Sequence, residues 1–98
     1  DEKGDQVVYP HKERLPLFVP TPSNRYGKAL LKCLDEMKAG IEMNGLYWDE
    51  MSGSYGAYNY GGDWDGVTGQ LDPRTKEVLA LRSAVPLQLL PMSKAIIN

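Results

Sequence analysis

The sequence predicts an α/β fold containing a βαβ unit, in which a strand, a helix and a second strand follow one another. Three features support this prediction: a short apolar run at 15–19, an amphipathic stretch at 24–39, and a second apolar run at 45–48 within the segment 41–51. A helix between two strands is the usual connection of a parallel pair. The second run is continuous rather than alternating, which is typical of a parallel strand that helices cover.

Two segments precede the helix. Residues 1–14 are polar and charged apart from a short apolar stretch, and they are predicted to be a loop. Residues 15–19 have the length and the Phe and Val content of a buried strand, which Pro20 and Pro22 would end. Pro16 argues against a central position in a sheet, because proline has no N–H to donate.

The helix is predicted to begin after Ser23 or Asn24, either of which can serve as its N-cap, and to end near Ala39. Its apolar side chains recur at i, i+4 and i+7 and comprise Leu30, Leu34 and Met37, with Ala29 and Cys33 beside them. Gly40 then supplies a C′ stop. The single cysteine is therefore expected to be a small buried side chain.

A long loop and a β-hairpin are predicted after the second strand. Residues 52–66 show no apolar period and are rich in Gly and Tyr, which indicates a loop. The segments 64–71 and 76–81 flank Asp-Pro-Arg-Thr at 72–75, a turn sequence that favours a hairpin. The alternative is a helix with Asp72 as its N-cap and proline at the next position.

The C-terminal residues complete a chain that is predicted to be a single partial domain. Pro86 and Pro91 are expected to break the apolar tail, and Ser93 is a candidate cap for a final helix. The predicted parts are an N-terminal polar segment (1–14), the βαβ unit (15–51), the aromatic and Gly-rich loop (52–66), and the hairpin with the apolar tail (67–98).

Composition narrows the classes of function. The 98 residues carry a net charge of -2 and are 42% hydrophobic, which is typical of a globular domain. Basic residues are scattered and no apolar stretch approaches about 20 residues, so neither a nucleic acid nor a membrane is an expected partner. One histidine and one cysteine make a transition-metal site improbable, and no cofactor is predicted.

Two acids, Asp49 and Glu50, directly follow the apolar run and are the candidate catalytic residues. Open α/β sheets and barrels place their active sites at the carboxyl ends of parallel strands. Side chains alternate along a strand, so the two acids cannot both face one cleft. Tyr47 is expected to share a face with Asp49, and Trp48 the opposite face with the second acid. The alternative is that both acids simply begin a solvated loop.

Aromatic residues are concentrated in an 18-residue stretch and are interleaved with Gly, Ser, Asn and Asp. Ring faces stack on the apolar C–H faces of sugars, while the small polar residues bond hydroxyl groups. The candidate substrate-binding rings are Tyr47, Trp48, Tyr58, Tyr60 and Trp64. A loop of this composition also suits an adaptable protein-binding surface.

A second acidic group lies at Asp63-Trp64-Asp65-Gly66. It contains two acids and a glycine, as calcium loops do, but the glycine comes too early for an EF-hand and no Glu closes the loop. The favoured interpretation is a turn with a binding-site carboxylate. Asp65 is the candidate for that role, and calcium is the weaker alternative.

Three segments resemble parts of (β/α)8-barrel glycoside hydrolases and related carbohydrate-active proteins: 17–22, 24–28 and 44–50. In such barrels a strand end of the form (D/N)-G-(apolar)-(aromatic)-x-D-E carries a catalytic or sugar-ligating acid. The likeness spans roughly residues 15–66 and implies a partial (β/α)-barrel. Where such proteins have Asp before the glycine, this chain has Asn44. This difference does not affect the residues expected to carry the chemistry.

The resemblance implies a carbohydrate substrate or ligand and gives Asp49 the role of nucleophile or general base. Glycoside hydrolysis needs a second carboxyl group, which would come from another strand in the remainder of a longer barrel chain. A barrel takes about 250 residues, so the 98 residues alone are expected to have little or no activity. A non-catalytic glycan- or protein-binding module is the alternative from another class. The third hypothesis is a small structural protein with both tryptophans buried.

Overall fold

A computed structural model of the chain describes residues 1–10, 13–49 and 56–97. Within these ranges the helices are α1 (Arg25–Gly40), α2 (Val85–Gln88) and α3 (Leu90–Ile97). The strands are β1 (Tyr58–Asn59), β2 (Gly69–Leu71), β3 (Val78–Leu81) and β4 (Ser83–Ala84). The predicted combination of helices and strands is therefore confirmed, whereas no barrel unit is found in the described ranges.

Helix α1 begins at the predicted N-cap. The Asn24 side-chain oxygen accepts a hydrogen bond from the backbone N–H of Gly27 at 2.8 Å, which satisfies one of the free donors of the first turn. The Asn24 amide also donates to the carbonyl of Val19 at 2.8 Å. Gly27 is buried against the backbone of Thr21, so that the capping loop folds tightly over the first turn.

The other end of α1 differs from the prediction in two respects. Gly40 is the last residue of the helix rather than a C′ stop, and the cap is Ile41, whose extended backbone donates to the carbonyl of Met37 at 3.0 Å. Cys33 is exposed, so the expectation of a buried thiol is wrong. The buried side of the helix is centred on Leu34, and the predicted apolar stripe is therefore rotated away from the cysteine.

The predicted hairpin is confirmed. β2 and β3 pair antiparallel, with Gly69 opposite Leu81, and an irregularity in the register lies between Gln70 and Leu71. Asp72 organises the turn, because its Oδ1 accepts the N–H of Arg74 at 2.7 Å. The helix considered as an alternative for this segment is absent from the described residues.

The parallel pair of the predicted βαβ unit is not found among the described residues. Both two-stranded sheets are antiparallel, and the first apolar run forms only an isolated antiparallel bridge between Pro16 and Val8. Proline lacks an N–H, so Pro16 within this run and Pro20 after it limit its pairing. Residues 41–49 have no strand, and the rest of the predicted second strand lies outside the described ranges. The predicted Gly-rich loop, in turn, contains β1.

The C-terminal tail is helical, whereas the sequence prediction expects its prolines to break it. Pro86 lies in the first turn of α2 and Pro91 in the first turn of α3, where the absent N–H costs little. Ser93 lies inside α3 and donates to the carbonyl of Leu89 instead of capping a helix. Prolines in this tail therefore begin helices rather than prevent them.

A small apolar core is formed by side chains of α1 and of the C-terminal helical segment, in which α3 packs against both α1 and α2. The buried apolar side chains of the described residues are Leu34, Val85, Leu89 and Met92. None of the helices in the described ranges has the length and apolar character needed to cross a membrane.

Much apolar surface remains uncovered. The accessible area is 7650 Å², against about 5,600 Å² for a compact monomer of this mass. The radius of gyration is 15.9 Å, whereas a compact chain of this length has about 13 Å. Large apolar side chains of the hairpin are among the exposed ones: Leu71, Val78, Leu79 and Leu81.

Candidate functional site

A groove of about 1240 Å³ is the principal concave feature of the described structure. Its walls come from segments far apart in the sequence: the N-terminal residues, the start of α1, the residue Trp48, the β1 region and the end of β3. A smaller depression of about 510 Å³ lies at the end of α1 and is lined by residues 38–44, none of them aromatic. The groove is therefore the better candidate for a ligand site.

Three of the predicted sugar-binding rings line this groove, namely Trp48, Tyr58 and Tyr60. The groove also contains two rings that the sequence prediction did not single out, Phe18 and Tyr26, whose centroids are 6.4 Å apart with planes tilted by 57°. Phe18 was assigned to a buried strand, yet it is 62% exposed. The expectation that Phe18 lies in a buried strand is therefore wrong.

Arg82 fixes the two tyrosines of the β1 region. Its guanidinium carbon lies 3.7 Å from the centroid of the Tyr58 ring, a cation–π contact. Its Nη1 donates to the Tyr60 hydroxyl at 3.0 Å, and this hydroxyl donates onward to Oε1 of Gln70 at 3.0 Å. The rings are therefore held in place from the strand side. Arg82 had no motif around it in the sequence, and its role depends on the pairing of β4 with β1.

Asp63 and its neighbours join the groove to both α1 and α2. The Asp63 carboxylate accepts a hydrogen bond from the Ser23 hydroxyl at 2.9 Å, just before α1. The Asp63 carbonyl accepts from the amide of Gln88, whose Oε1 accepts from Nδ2 of Asn59 at 3.0 Å. Gln88 is buried, so these bonds satisfy a polar group that would otherwise be costly to bury.

Asp65, the predicted binding-site carboxylate, organises its own loop. Its oxygens accept from the N–H of Val67 (3.0 Å), the N–H and hydroxyl of Thr68 (2.8 and 2.5 Å), and the N–H of Ala84 (2.8 Å). Partial burial opposes the charged form and raises the pKa. The four hydrogen bonds outweigh it and hold the pKa of Asp65 well below its usual range. A sugar-ligating role for Asp65 remains a prediction.

The predicted catalytic segment lies at the edge of the groove. Tyr47 is 86% exposed, and its hydroxyl donates to Oδ1 of Asp49 at 3.4 Å, so the two side chains lie together although no strand is found over 41–49. Trp48, between them, lines the groove, but Tyr47 and Asp49 do not. Glu50, the other candidate acid, lies outside the described residues, as does Tyr55.

Trp64 does not line the groove. Its indole N–H donates to the carbonyl of Thr68 at 2.8 Å, and the residue is 47% exposed. Trp48 is only partly exposed. A closed core with both tryptophans buried, the signature of the purely structural alternative, is therefore not present.

The described residues contain no group of three or more His, Cys, Asp or Glu placed to hold a metal ion. Comparison with family models, with curated proteins and with solved structures gave no match to the chain. Its function has to be inferred from its own residues and geometry.

Proposed function

We propose that this chain provides a carbohydrate-binding groove within a carbohydrate-active protein. The observation that carries the proposal is the meeting of Trp48, Tyr58 and Tyr60 along one groove. The first of these precedes β1 by ten residues and comes from the segment that resembles glycosidase strand ends. Aromatic rings along an open groove can each stack on one sugar ring of a chain.

The groove also offers polar groups to bond sugar hydroxyls. Asn24, Asn59 and Asp63 line it and are held by the hydrogen bonds that join the capping loop, β1 and α2. Side chains held in this way lose little further freedom on binding a ligand. Rings and fixed polar groups together are the combination that an oligosaccharide requires.

Isothermal titration calorimetry with neutral oligosaccharides of four to six sugars tests this proposal. Trp48→Ala is expected to weaken binding about tenfold or more, since removing a stacked aromatic ring loses both buried area and ring contact. Tyr47→Ala is the matched control: it removes a neighbouring ring that does not line the groove and should leave affinity within about twofold. Equal losses in the two variants would contradict the assignment of the groove.

A second candidate role is that of part of a glycosidase-like protein in which Asp49 supplies a catalytic carboxylate. The Tyr47 hydroxyl beside Asp49, one residue from a groove ring, supports this role. The exposed apolar hairpin is the kind of surface that the remainder of a barrel could cover. The partner acid would come from that remainder.

The catalytic role of Asp49 is tested in the protein that carries this chain, with aryl glycosides as substrates. Asp49→Asn should lower kcat by about a hundredfold or more while leaving oligosaccharide affinity in place, because acid–base or nucleophilic groups contribute at least ~10²-fold. Asp35→Asn, on the exposed surface of α1, is the control. Turnover by Asp49→Asn within about threefold of the parent would remove Asp49 from the mechanism.

A further inference from the structure

We propose that Asn44 is a site of spontaneous covalent modification, in which the backbone nitrogen of Gly45 attacks the side-chain amide and leaves aspartate and isoaspartate at this position. Asparagine is among the labile residues of proteins, and its surroundings decide how fast it reacts. Asn44 is followed by a glycine, whereas Asn24 and Asn59 are followed by large residues. The modification is independent of saccharide binding and goes beyond the function proposed for the groove.

The side chain of Asn44 is free to reach the attacking nitrogen. Residues 41–49 form neither helix nor strand, and both Asn44 and Gly45 are exposed. Among the described residues none holds the Asn44 amide by a hydrogen bond. A segment with exposed, unpaired backbone changes conformation at little cost, so the approach of the two groups meets little resistance.

Gly45 leaves its own nitrogen accessible. It has no Cβ, and a Cβ built there would meet nothing within 4 Å. Its φ is not in the positive range, unlike that of Gly62 and Gly66, so the backbone does not require glycine at this position. A side chain would therefore fit at position 45, and the glycine matters for the reactivity of Asn44 rather than for the fold.

The reaction consumes water and releases ammonia. The deprotonated nitrogen of Gly45 forms a bond to Cγ of Asn44, and the side-chain nitrogen leaves as ammonia, which closes a succinimide ring. Water then opens the ring at Cγ to give aspartate, or at the main-chain carbonyl of Asn44 to give isoaspartate. Either product adds one negative charge to a formal net charge of -2.

The other asparagines of the described ranges are held by the fold. Both polar atoms of the Asn24 side chain are bonded at 2.8 Å, as the N-cap of α1 requires. Both polar atoms of the Asn59 side chain are also bonded, at 3.0 and 3.1 Å. The side chains of Arg25 and Tyr60 crowd the nitrogens that would have to attack. These two asparagines are therefore internal controls for Asn44.

The isoaspartate product alters the segment that carries Trp48. Its main chain runs through Cβ and Cγ and is longer by one carbon, four residues before this ring of the groove. The covalent structure of the segment at the edge of the groove therefore changes as the protein ages.

Mass spectrometry of the full chain, aged in water enriched in heavy oxygen and then digested with chymotrypsin, tests the proposal. Chymotrypsin cleaves after aromatic residues, so Asn44 and Asn59 fall on separate peptides. The Asn44 peptide should exchange its amide nitrogen for one heavy oxygen, with isoaspartate detected by enzymatic methylation of its carboxylate. The rate should rise about tenfold per pH unit, because the reacting nitrogen is deprotonated far below its pKa. Asn24 and Asn59 should stay intact over the same period.

Gly45→Val separates attack by the backbone from simple hydrolysis of the amide. The branched side chain crowds the attacking nitrogen, so the rate at Asn44 should fall by at least about tenfold. Gly61→Val is the matched control, because a Cβ at Gly61 also meets nothing within 4 Å, and it should leave that rate unchanged. Circular dichroism should show both variants folded like the parent.

Each other outcome overturns a defined part of the account. A parental rate in Gly45→Val, or aspartate formed without isoaspartate, would overturn attack by Gly45. Modification of Asn24 or Asn59 as fast as that of Asn44 would overturn the protection assigned to their hydrogen bonds. An Asn44 that stays intact throughout would remove the site, and none of these results bears on saccharide binding.

Discussion

At the residue scale, Asp65 shows how one carboxylate can order a loop through several hydrogen bonds. Its four donors come from Val67, Thr68 and Ala84, and the last of these is far along the chain on β4. The Asp-Gly pair at 65–66 indicates a turn from sequence alone, and Gly66 has the positive φ of 85° that the turn uses. The bond to Ala84 depends on how β4 is placed, which no local pattern indicates.

The lowered pKa of Asp65 predicts a pH-dependent contribution to stability. A carboxyl group whose pKa is lower in the folded state than in the unfolded state stabilises the fold at pH values above its unfolded pKa of about 3.9. This contribution decreases as the pH falls from the unfolded pKa towards the folded pKa. Asp65→Asn removes the charge and places an amide N–H₂ among donors. At about pH 6 the melting temperature of Asp65→Asn should therefore be lower than that of the parent. The difference between the two melting temperatures should narrow towards about pH 3.

The control for this prediction is Asp35→Asn, which removes an exposed carboxylate on α1. Thermal unfolding of the three proteins, followed by circular dichroism across that pH range, makes the comparison. A gap between the parent and Asp65→Asn that stays constant or widens in acid would contradict the role assigned to the carboxylate.

The candidate site was predictable from sequence only where the chemistry of a residue reveals its role. Trp48, Tyr58 and Tyr60 stand out because aromatic residues among Gly, Ser and Asn indicate a ligand surface, and the structure places all three at the groove. Arg82 does not stand out, because its position depends on the pairing of β4 with the distant β1.

At the element scale, α1 was predictable because its signals are local. Asn24 caps it, and an apolar period runs along it. The reason for a glycine at position 27 is not local. A Cβ there would lie 2.6 Å from the carbonyl carbon of Thr21, well inside van der Waals contact, so the capping loop can fold over α1 only if this residue has no side chain.

Gly27→Ala is therefore expected to destabilise the protein by about 2–3 kcal/mol, since forcing atoms into a packed contact typically costs 1–3 kcal/mol. Helix propensity alone predicts the opposite sign, a gain of about 0.5–1 kcal/mol. Gly40→Ala is the matched control on the same helix, because a Cβ there meets nothing within 4 Å. Urea unfolding should show the first variant less stable than the parent, and the second equal or more stable.

If both alanine variants behaved alike, the close approach between Thr21 and α1 would not exist in solution. If Gly40→Ala stabilises the protein while Gly27→Ala destabilises it, the contact between Thr21 and Gly27 is retained. Circular dichroism at 222 nm (a signal of helix content) would show whether α1 itself is lost.

The strands were less predictable than the helix. The hairpin of β2 and β3 was indicated because Asp-Pro-Arg-Thr is a strong local turn signal. The parallel pair was inferred from the order of elements, and the described residues contain only antiparallel pairs. Pro86 and Pro91 were interpreted as breaks, although proline in the first turn of a helix is favourable.

At the scale of the whole molecule, a small core and an open groove occur together. The buried apolar residues of the described ranges belong to α1 and the C-terminal helical segment, while much apolar surface stays exposed. An exposed apolar surface of this extent favours contact with further protein, as the proposal of a larger carbohydrate-active protein requires. The groove itself combines segments from both ends of the chain.

The most direct test of the central claim, that this groove binds saccharide, uses the fluorescence of Trp48. In a Trp64→Phe variant Trp48 is the one tryptophan left, and its indole lines the groove. Titration with a neutral oligosaccharide of six sugars is predicted to change its emission saturably, with the dissociation constant that calorimetry gives. Emission that stays unchanged at saccharide concentrations where calorimetry shows saturation would place the binding elsewhere and contradict the account.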